Sequence, residues 1–371
     1  MARIAIVSDI HLGSRQYGLK ERYEDFLDAF MEFGHSLRGM SLDAVVIGGD
    51  LFDSPRPDAK SVLTAQGVIE DIKVAGLPVY GIDGNHDLSD GGWLDVIGVE
   101  PMKEGYYAQV GNVRMSGINY RNGRDLVAEI QRMADEGFKT DILVMHFALA
   151  EMNGGGSADT GVQELSPLLD KLGVKAVLMG HVHIPDCRKW NGVLYVNPGS
   201  TEMKSSNEPR DKYFYVLDTD TWEAVPVPIE TRKVVGVEIV DEASLVELQR
   251  VLDEEAKNSA DMPMVKRPFY QIIADDSIDD GYKRIAAIVH DTGAIARIVM
   301  RSSKARDLAP VVDRKESVAT LESAIEARFP RESPEAKLIS SMLHSPDPSS
   351  IHLICQKFME GESDDAGLNN R

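Results

Sequence analysis

The chain has no long apolar runs, almost no cysteine and too little positive charge for its size. No stretch approaches the ~18 consecutive apolar residues that a membrane-spanning helix needs, so an embedded protein is not expected. The apolar stretch near the start, Ile4–Val7, is too short for the core of a secretory signal. Cys187 and Cys355 lie far apart and form no metal-ligand spacing. A reducing, cytoplasmic setting is the expectation. Against 60 acidic residues stand 40 basic ones, a net charge of −20. That argues against a broad basic face for tight, unaided nucleic-acid binding. It leaves a nucleic-acid substrate open, because bound divalent cations can carry part of the phosphate charge. Internal repeats and low-complexity tracts are missing as well.

What is present is a chain of 371 residues, 43% of them hydrophobic. That is enough for a sizeable core and, at ~100–200 residues per domain, for two or three domains. Residues 1–230 alternate apolar runs with amphipathic stretches, the mark of an α/β layered domain. Buried strands are expected at Ile4–Val7, Ala44–Ile47, Pro78–Ile82, Ile142–Met145 and Ala176–Met179. Tyr23, Phe26, Leu27, Phe30 and Leu37 recur at helical spacing, as do Val62, Leu63, Gln66, Ile69 and Ile72. Further strands are expected at Tyr106–Val110, Val113–Ser116, Val193–Val196 and Tyr213–Leu217.

Over 231–309 the texture changes to a small α/β unit. Strands are expected at Val235–Val240, Phe269–Ala274 and Ala294–Met300. One helix is opened by a Ser244/Glu247 capping box, and another spans Asp280–His290. Residues 310–371 show helical pieces only, separated by Pro330, Pro334, Pro346 and Pro348. These pieces either dock on a partner as helices in a groove or pack back on their own domain.

The chemistry sits just past the carboxyl ends of the five expected strands. Asp9 and His11 follow the first, Asp50 the second, Asn85-His86-Asp87 the third, His146 the fourth, and His181 and His183 the fifth. In α/β sheets this is the edge where ligands bind. One residue separates Asp9 from His11, and His181 from His183, so in extended chain each pair points the same way. Five of the 9 histidines sit at the end of an apolar run beside Asp, Asn or Gly. His35, His290, His344 and His352 lack that context and read as ordinary histidines. Imidazoles, carboxylates and one amide oxygen form a divalent-metal set. Seven such ligands are too many for one tetrahedral ion and suit two ions sharing a carboxylate. Two ions ~3.5–4 Å apart can stabilise both the attacking and the leaving oxygen in displacement at phosphorus. His86, beside a ligand, is suited to protonating a leaving oxygen or neutralising charge.

These blocks, Asp9-x-His11, Gly49-Asp50, Gly84-Asn85-His86-Asp87, His146 and Gly180-His181-x-His183, resemble those of the calcineurin-like metallophosphoesterase superfamily. Within it the sequence is most similar to the Mre-eleven/SbcD double-strand-break repair nucleases. Ser8-Asp9-Ile10-His11-Leu12-Gly13, Gly49-Asp50-Leu51-Phe52 and Asn197-Pro198-Gly199-Ser200 carry that likeness. The resemblance implies an α/β fold: a two-sheet sandwich flanked by helices, with a small α/β capping domain over 231–309 and a helical tail over 310–371. It implies two manganese ions, one on Asp9, His11 and His183 and one on Asn85, His146 and His181, with Asp50 bridging and His86 catalytic. Implied partners are DNA (duplex ends and single strands), a Rad-fifty/SbcC-type coiled-coil ATPase on the tail, and a second copy through the Val62–Ile72 and Trp93–Val99 segments. Archaeal and eukaryotic members usually carry a second histidine just after Gly-Asp-Leu-Phe. Here Asp53 stands in that place, where bacterial SbcD-like members often have Asp. A carboxylate can neither donate a proton nor offer positive charge at neutral pH, so Asp53 is given no role.

A manganese-dependent nuclease, exonucleolytic (3′→5′) on duplex ends and endonucleolytic on single strands, is therefore the expected function. The alternatives are a small-molecule or phosphoprotein phosphoesterase, which the acidic charge favours slightly, and a scaffold that has lost catalysis. The full set of seven ligands speaks against the scaffold.

Overall fold

Alternation inside the central strands decides the layers. The chain runs through β1 (Arg3–Val7), α1 (Lys20–Ser36), β2 (Ala44–Ile47), α2 (Ala59–Val74), β3 (Val79–Gly81), α3 (Trp93–Ile97) and β4 (Glu100–Pro101). It continues through β5 (Ala108–Val110), β6 (Val113–Ile118), α4 (Gly123–Asp135), β7 (Ile142–His146), α5 (Val162–Leu172), β8 (Ala176–Gly180), β9 (Asp186–Trp190) and β10 (Val193–Asn197). Then come β11 (Lys212–Asp218), β12 (Glu223–Ile229), β13 (Val234–Ile239), α6 (Glu242–Asn258), β14 (Phe269–Asp275), α7 (Gly281–Thr292) and β15 (Ile295–Arg301). The computed structural model describes residues 2–88, 92–258 and 267–301. The tail expected over 310–371, with His344 and His352, lies outside the described residues, as do Cys355 and residues 302–309.

One six-stranded sheet has the order β12-β11-β1-β2-β3-β4, and a second β5-β6-β7-β8-β10-β9. On β1 and β2, Ile4, Ile6, Ala44 and Val46 face the other sheet and meet Met115, Ile142, Val144, Ala176 and Leu178. Their neighbours Ala5, Val7, Val45 and Ile47 face outward and pack under Leu27, Phe30 and Phe33 of α1 and Ile69 of α2. Leu143, Met145, Val177 and Met179 do the same under α4 and α5. Strands apolar on both faces must be covered on both, and the result is helix, sheet, sheet, helix. Phe30 and Phe33 are fully buried, each contributing about 1.5–3 kcal/mol of apolar burial.

The strand ends thus come from two facing sheets, β1, β2 and β3 from one and β7 and β8 from the other, not from one open sheet. Several elements went unread in the sequence. β12 carries Pro226 and Pro228, which an edge strand tolerates. β9 is a polar edge, and α5 keeps Pro167 inside a helix. On α2 the expected Ile69 and Ile72 are buried and Val62 packs against the same core, but Ala65 and Val68 complete the buried face and Leu63 is 67% exposed.

A third, three-stranded parallel sheet, β13-β14-β15, packs Tyr270, Ile272 and Ala274 against Leu245, Leu248 and Leu252 of α6 and Ile285 of α7. The expected capping box lies one turn too late. Asp241 caps α6, accepting from Ser244 N at 2.8 Å, while Ser244 Oγ accepts from Asp241 N at 3.0 Å. Ser244 is the third residue of the helix and the closing member of the box, and Glu247 pairs with Arg250 on the exposed face.

This sheet is tied to the sandwich by buried charge. Arg22 of α1 binds Asp25 and, at 2.8 Å, Glu202. Arg232, just before β13, reaches the same Asp25 at 2.7 Å. Phe269 stacks on Tyr17 at 5.9 Å and lies under the Arg22 guanidinium.

Candidate metal centre

The loop after β1 and the loop after β2 are clasped by main-chain bonds. Asp9 N donates to Gly49 O at 3.1 Å, and Ile10 N and His11 N both donate to Asp50 O, at 2.9 and 3.0 Å. To make this clasp Asp9, His11 and Asp50 take left-handed backbone, φ 52°, 50° and 51°, and His181 follows at φ 88°. Such conformations cost about 1–3 kcal/mol each in a non-glycine residue and cluster at working sites. β1 ends at Val7 and β8 at Gly180. The expectation of extended chain through Asp9–His11 and His181–His183 is therefore corrected: both pairs lie in turns beyond their strands.

Close approach is secured by glycine. A Cβ on Gly84 would lie 2.1 Å from Asp50 Oδ1, and one on Gly180 would lie 2.0 Å from Ser8 Oγ and 2.7 Å from His146 Nδ1. Asp87 locks the third loop to the second, its carboxylate accepting from Leu51 N, Phe52 N and Gly84 N at 3.0, 2.8 and 3.1 Å.

The seven expected ligands meet in two overlapping groups. His11 Nε2 lies 3.1 Å from His183 Nε2, and His183 Nε2 lies 3.6 Å from Asp9 Oδ1. Asn85 Oδ1 lies 2.9 Å from His181 Nδ1 and 3.2 Å from His146 Nε2. Asp50 Oδ2 stands between them, 3.3 Å from His146 Nε2 and 3.8 Å from His11 Nε2. Asp9, His11, Asp50 and His146 are buried, while Asn85, His181 and His183 are half-buried. Ligand atoms of Asp9, His11 and His183 lie within 4.8 Å of one another, as do those of Asp9, Asp50 and His146. Four imidazoles, two carboxylates and an amide oxygen fit borderline divalent cations of the zinc or manganese type.

Outer contacts fix which nitrogen each imidazole presents. His146 Nδ1 donates to Gly48 O at 2.8 Å, turning Nε2 toward Asp50 and Asn85. His86 Nδ1 faces the Asp53 carbonyl at 2.9 Å, and its main-chain N–H donates to Asp50 Oδ1 at 2.8 Å. Burial alone would lower His146, but the Asp50 hydrogen bond and the Asp9 and Asp50 charges raise it to about 9. Burial alone would raise Asp50, but His146, His11 and the His86 N–H hold it well below the usual carboxylate range. Burial pushes His11 and His181 down.

Three residues given no role on sequence stand at the rim. Glu208 binds His183. Lys204 Nζ lies 2.7 Å from Asp53 Oδ1 and 3.1 Å from His11 Nδ1. Asp53 Oδ1 is itself 3.3 Å from His11 Nδ1. The nearby Asn197-Pro198-Gly199-Ser200 block was the available signal for this loop. Tyr120, also unread, lies with its ring 5.8 Å from that of His181. His290 and His35 are exposed and away from the cluster.

A layered sandwich with imidazoles and carboxylates gathered on the loops at its strand ends defines a class of metal-dependent phosphoesterases. The chain belongs to the calcineurin-like phosphoesterase superfamily, whose domain model matches residues 2–222. It is 33% identical to the DNA double-strand break repair protein Mre11 of Haloferax volcanii, the match covering 64% of this chain and 55% of the relative. The protein of the same name from Methanosarcina mazei is 31% identical, over 58% of this chain and 36% of that one. The one from Aeropyrum pernix is 27% identical, over 66% of each. The chain spans about half the length of the curated relatives it matches. No helix among the described residues is long and apolar enough to cross a membrane.

Proposed function

We propose that the protein is a cytoplasmic, manganese-dependent DNA nuclease of double-strand-break repair, a 3′→5′ exonuclease on duplex ends and an endonuclease on single strands. The observation that carries this reading is the convergence of seven ligand side chains from five strand ends, with Asp50 between two groups. Asp9, His11 and His183 would hold one ion and Asn85, His146 and His181 the other, with Asp50 shared. Two such cations would acidify an attacking water and neutralise charge on the phosphate.

The protein's own groups do the rest. The Gly48 carbonyl and the Glu208 carboxylate orient His146 and His183. With its Nδ1–H on the Asp53 carbonyl, a His86 ring that also carries a proton on Nε2 would give that second proton to the leaving oxygen as the phosphorus–oxygen bond breaks, and return to the neutral ring. The bond from its main-chain N–H to Asp50 holds that donor in register with the shared carboxylate.

The sheet β13–β15 and its helices would serve as the capping, DNA-facing unit over 231–309. The segment 310–371 would bind a Rad-fifty/SbcC-type ATPase, a reading that rests on the family resemblance. Leu63 on α2 and Val96 on α3, 67% and 54% exposed, support a homodimer through those helices. The net charge of −20 favours a second reading, a small-molecule phosphoesterase on the same fold.

The test is cleavage of end-labelled duplex and single-stranded DNA with manganese by the full chain and its Asp50→Ala and His86→Ala variants. Cleavage that is abolished in the first and about 10²–10⁴-fold slower in the second is expected. Absence of cleavage by the unaltered chain, or equal cleavage by all three, overturns the proposal. Rapid turnover of an aryl phosphodiester without DNA cleavage supports the second reading.

A further inference from the structure

We propose that Lys204 contacts a substrate phosphate, and that Asp53 is the residue that holds Lys204 in place to do so. This rests on the nuclease reading of the site and adds a recognition residue to it. The Asp53 carboxylate adds negative charge beside a site that must admit phosphate. The structure offsets that charge from another part of the chain. Lys204, on the connection between β10 and β11, places Nζ 2.7 Å from Asp53 Oδ1 and 3.1 Å from His11 Nδ1. The ammonium thus stands one imidazole away from the ligand cluster, and its side chain is 24% exposed, within reach of a ligand from solvent.

The lysine is anchored from both sides. Its main-chain N–H donates to Glu208 Oε2 at 3.1 Å, and that same glutamate holds His183. Asp53 in turn holds His86 through its main-chain carbonyl. One residue therefore connects the ammonium, a ligand imidazole and the proposed proton donor.

Donor and acceptor rules show what a cation at the centre does to this arrangement. An ammonium has donors only, so it can face His11 Nδ1 only while that nitrogen offers a lone pair. A cation held on Nε2 would leave the ring proton on Nδ1, 3.3 Å from Asp53 Oδ1. Lys204 would then lose His11 as an acceptor and keep its pairing with Asp53. Its freed N–H would need another acceptor, and a substrate phosphate oxygen offers one.

The experiment compares the full chain with Lys204→Gln and Lys204→Arg. KM and kcat on duplex DNA are measured, together with manganese stoichiometry by elemental analysis and the salt dependence of DNA binding by anisotropy. Binding is read in the His86→Ala background, so that the DNA survives. Lys204→Gln is expected to raise KM about tenfold, the weight of a charged hydrogen bond, with full manganese and an unchanged Tm. The slope of log K against log salt should become shallower by about 0.9, one phosphate contact, and Lys204→Arg should restore most of both. Unchanged KM and slope, or a loss explained by missing manganese, overturns the proposal while leaving the nuclease reading intact. Failure of the unaltered chain to cleave DNA overturns both.

Discussion

The Glu208 carboxylate accepts the Nδ1–H of His183 at 2.8 Å, which decides the nitrogen that His183 turns toward the candidate metal centre. Burial alone would raise Glu208, but His183 and Lys212 bring it down to about 2. It is therefore an acceptor at any working pH, and Nε2 of His183 is left facing His11 and Asp9. Its second oxygen is saturated by Ser200 Oγ, Lys204 N and Lys212 Nζ at 2.9, 3.1 and 3.0 Å.

Removing that orienting contact should weaken metal binding without touching a ligand. Glu208→Ala is expected to lower manganese affinity by about 10–100-fold, the usual weight of an outer-shell partner. Isothermal titration calorimetry checks this, and affinity equal to that of the unaltered chain would count against the role given to His183.

Gly84→Ala tests the close approach. The new Cβ would meet Asp50 Oδ1 at 2.1 Å and Asp50 N at 2.3 Å, and neither a buried carboxylate nor main chain can give way by so much. Loss of bound manganese and of cleavage together is expected. Full stoichiometry in the variant would show that the loop after β3 can move as a unit.

Asp25 carries the stability of the join between the sandwich and the third sheet. Its neighbours Arg22 and Arg232 are almost wholly buried, so Asp25→Ala leaves two guanidinium groups with less compensation. Stability should fall by about 3–5 kcal/mol, read from urea unfolding. A loss under 1 kcal/mol, by the same measure, would mean that the neighbouring Glu202 is enough.

Asp58 gives a pH-dependent test. It caps α2, accepting from Lys60 N and Ser61 N at 3.0 and 3.1 Å and from the Tyr23 hydroxyl at 2.7 Å. Burial opposes ionisation, but these donors hold its carboxyl below the usual range. A depressed acid contributes stability above its unfolded pKa and loses it as pH falls through the folded one. Asp58→Ala should cost about 1 kcal/mol at pH 7, with the gap closing below about pH 4. A gap that stays constant to pH 3 would contradict this.

What could be read in the sequence follows from burial. The central strands are apolar on both faces, and five of them end in polar residues that no core would accept, so layer and site edge were visible together. The outer contacts were not. Glu208 is one of 60 acidic residues, and its meaning comes only from the fold of the β10–β11 connection, which carries it to His183. Lys204 is equally ordinary in sequence, Asp53 stood out only as a departure from the family pattern, and the two meet from distant parts of the chain. Period-two reasoning failed at Asp9–His11 because left-handed backbone replaces the pleat there. At α6 an aspartate three residues earlier outcompeted Ser244 as the cap.

The two ligand groups each draw on both sheets: Asp9 and His11 need His183, and Asn85 needs His146 and His181. During synthesis from the amino terminus, β1, β2 and β3 emerge with four of the proposed ligands and no complete set. Neither set can close until β8 and the turn after it have docked. A nascent or truncated chain ending before His181 therefore carries the motif without the chemistry. On the proposed assignment, cutting activity would be withheld until the sandwich is whole, and metal uptake would report that folding has finished.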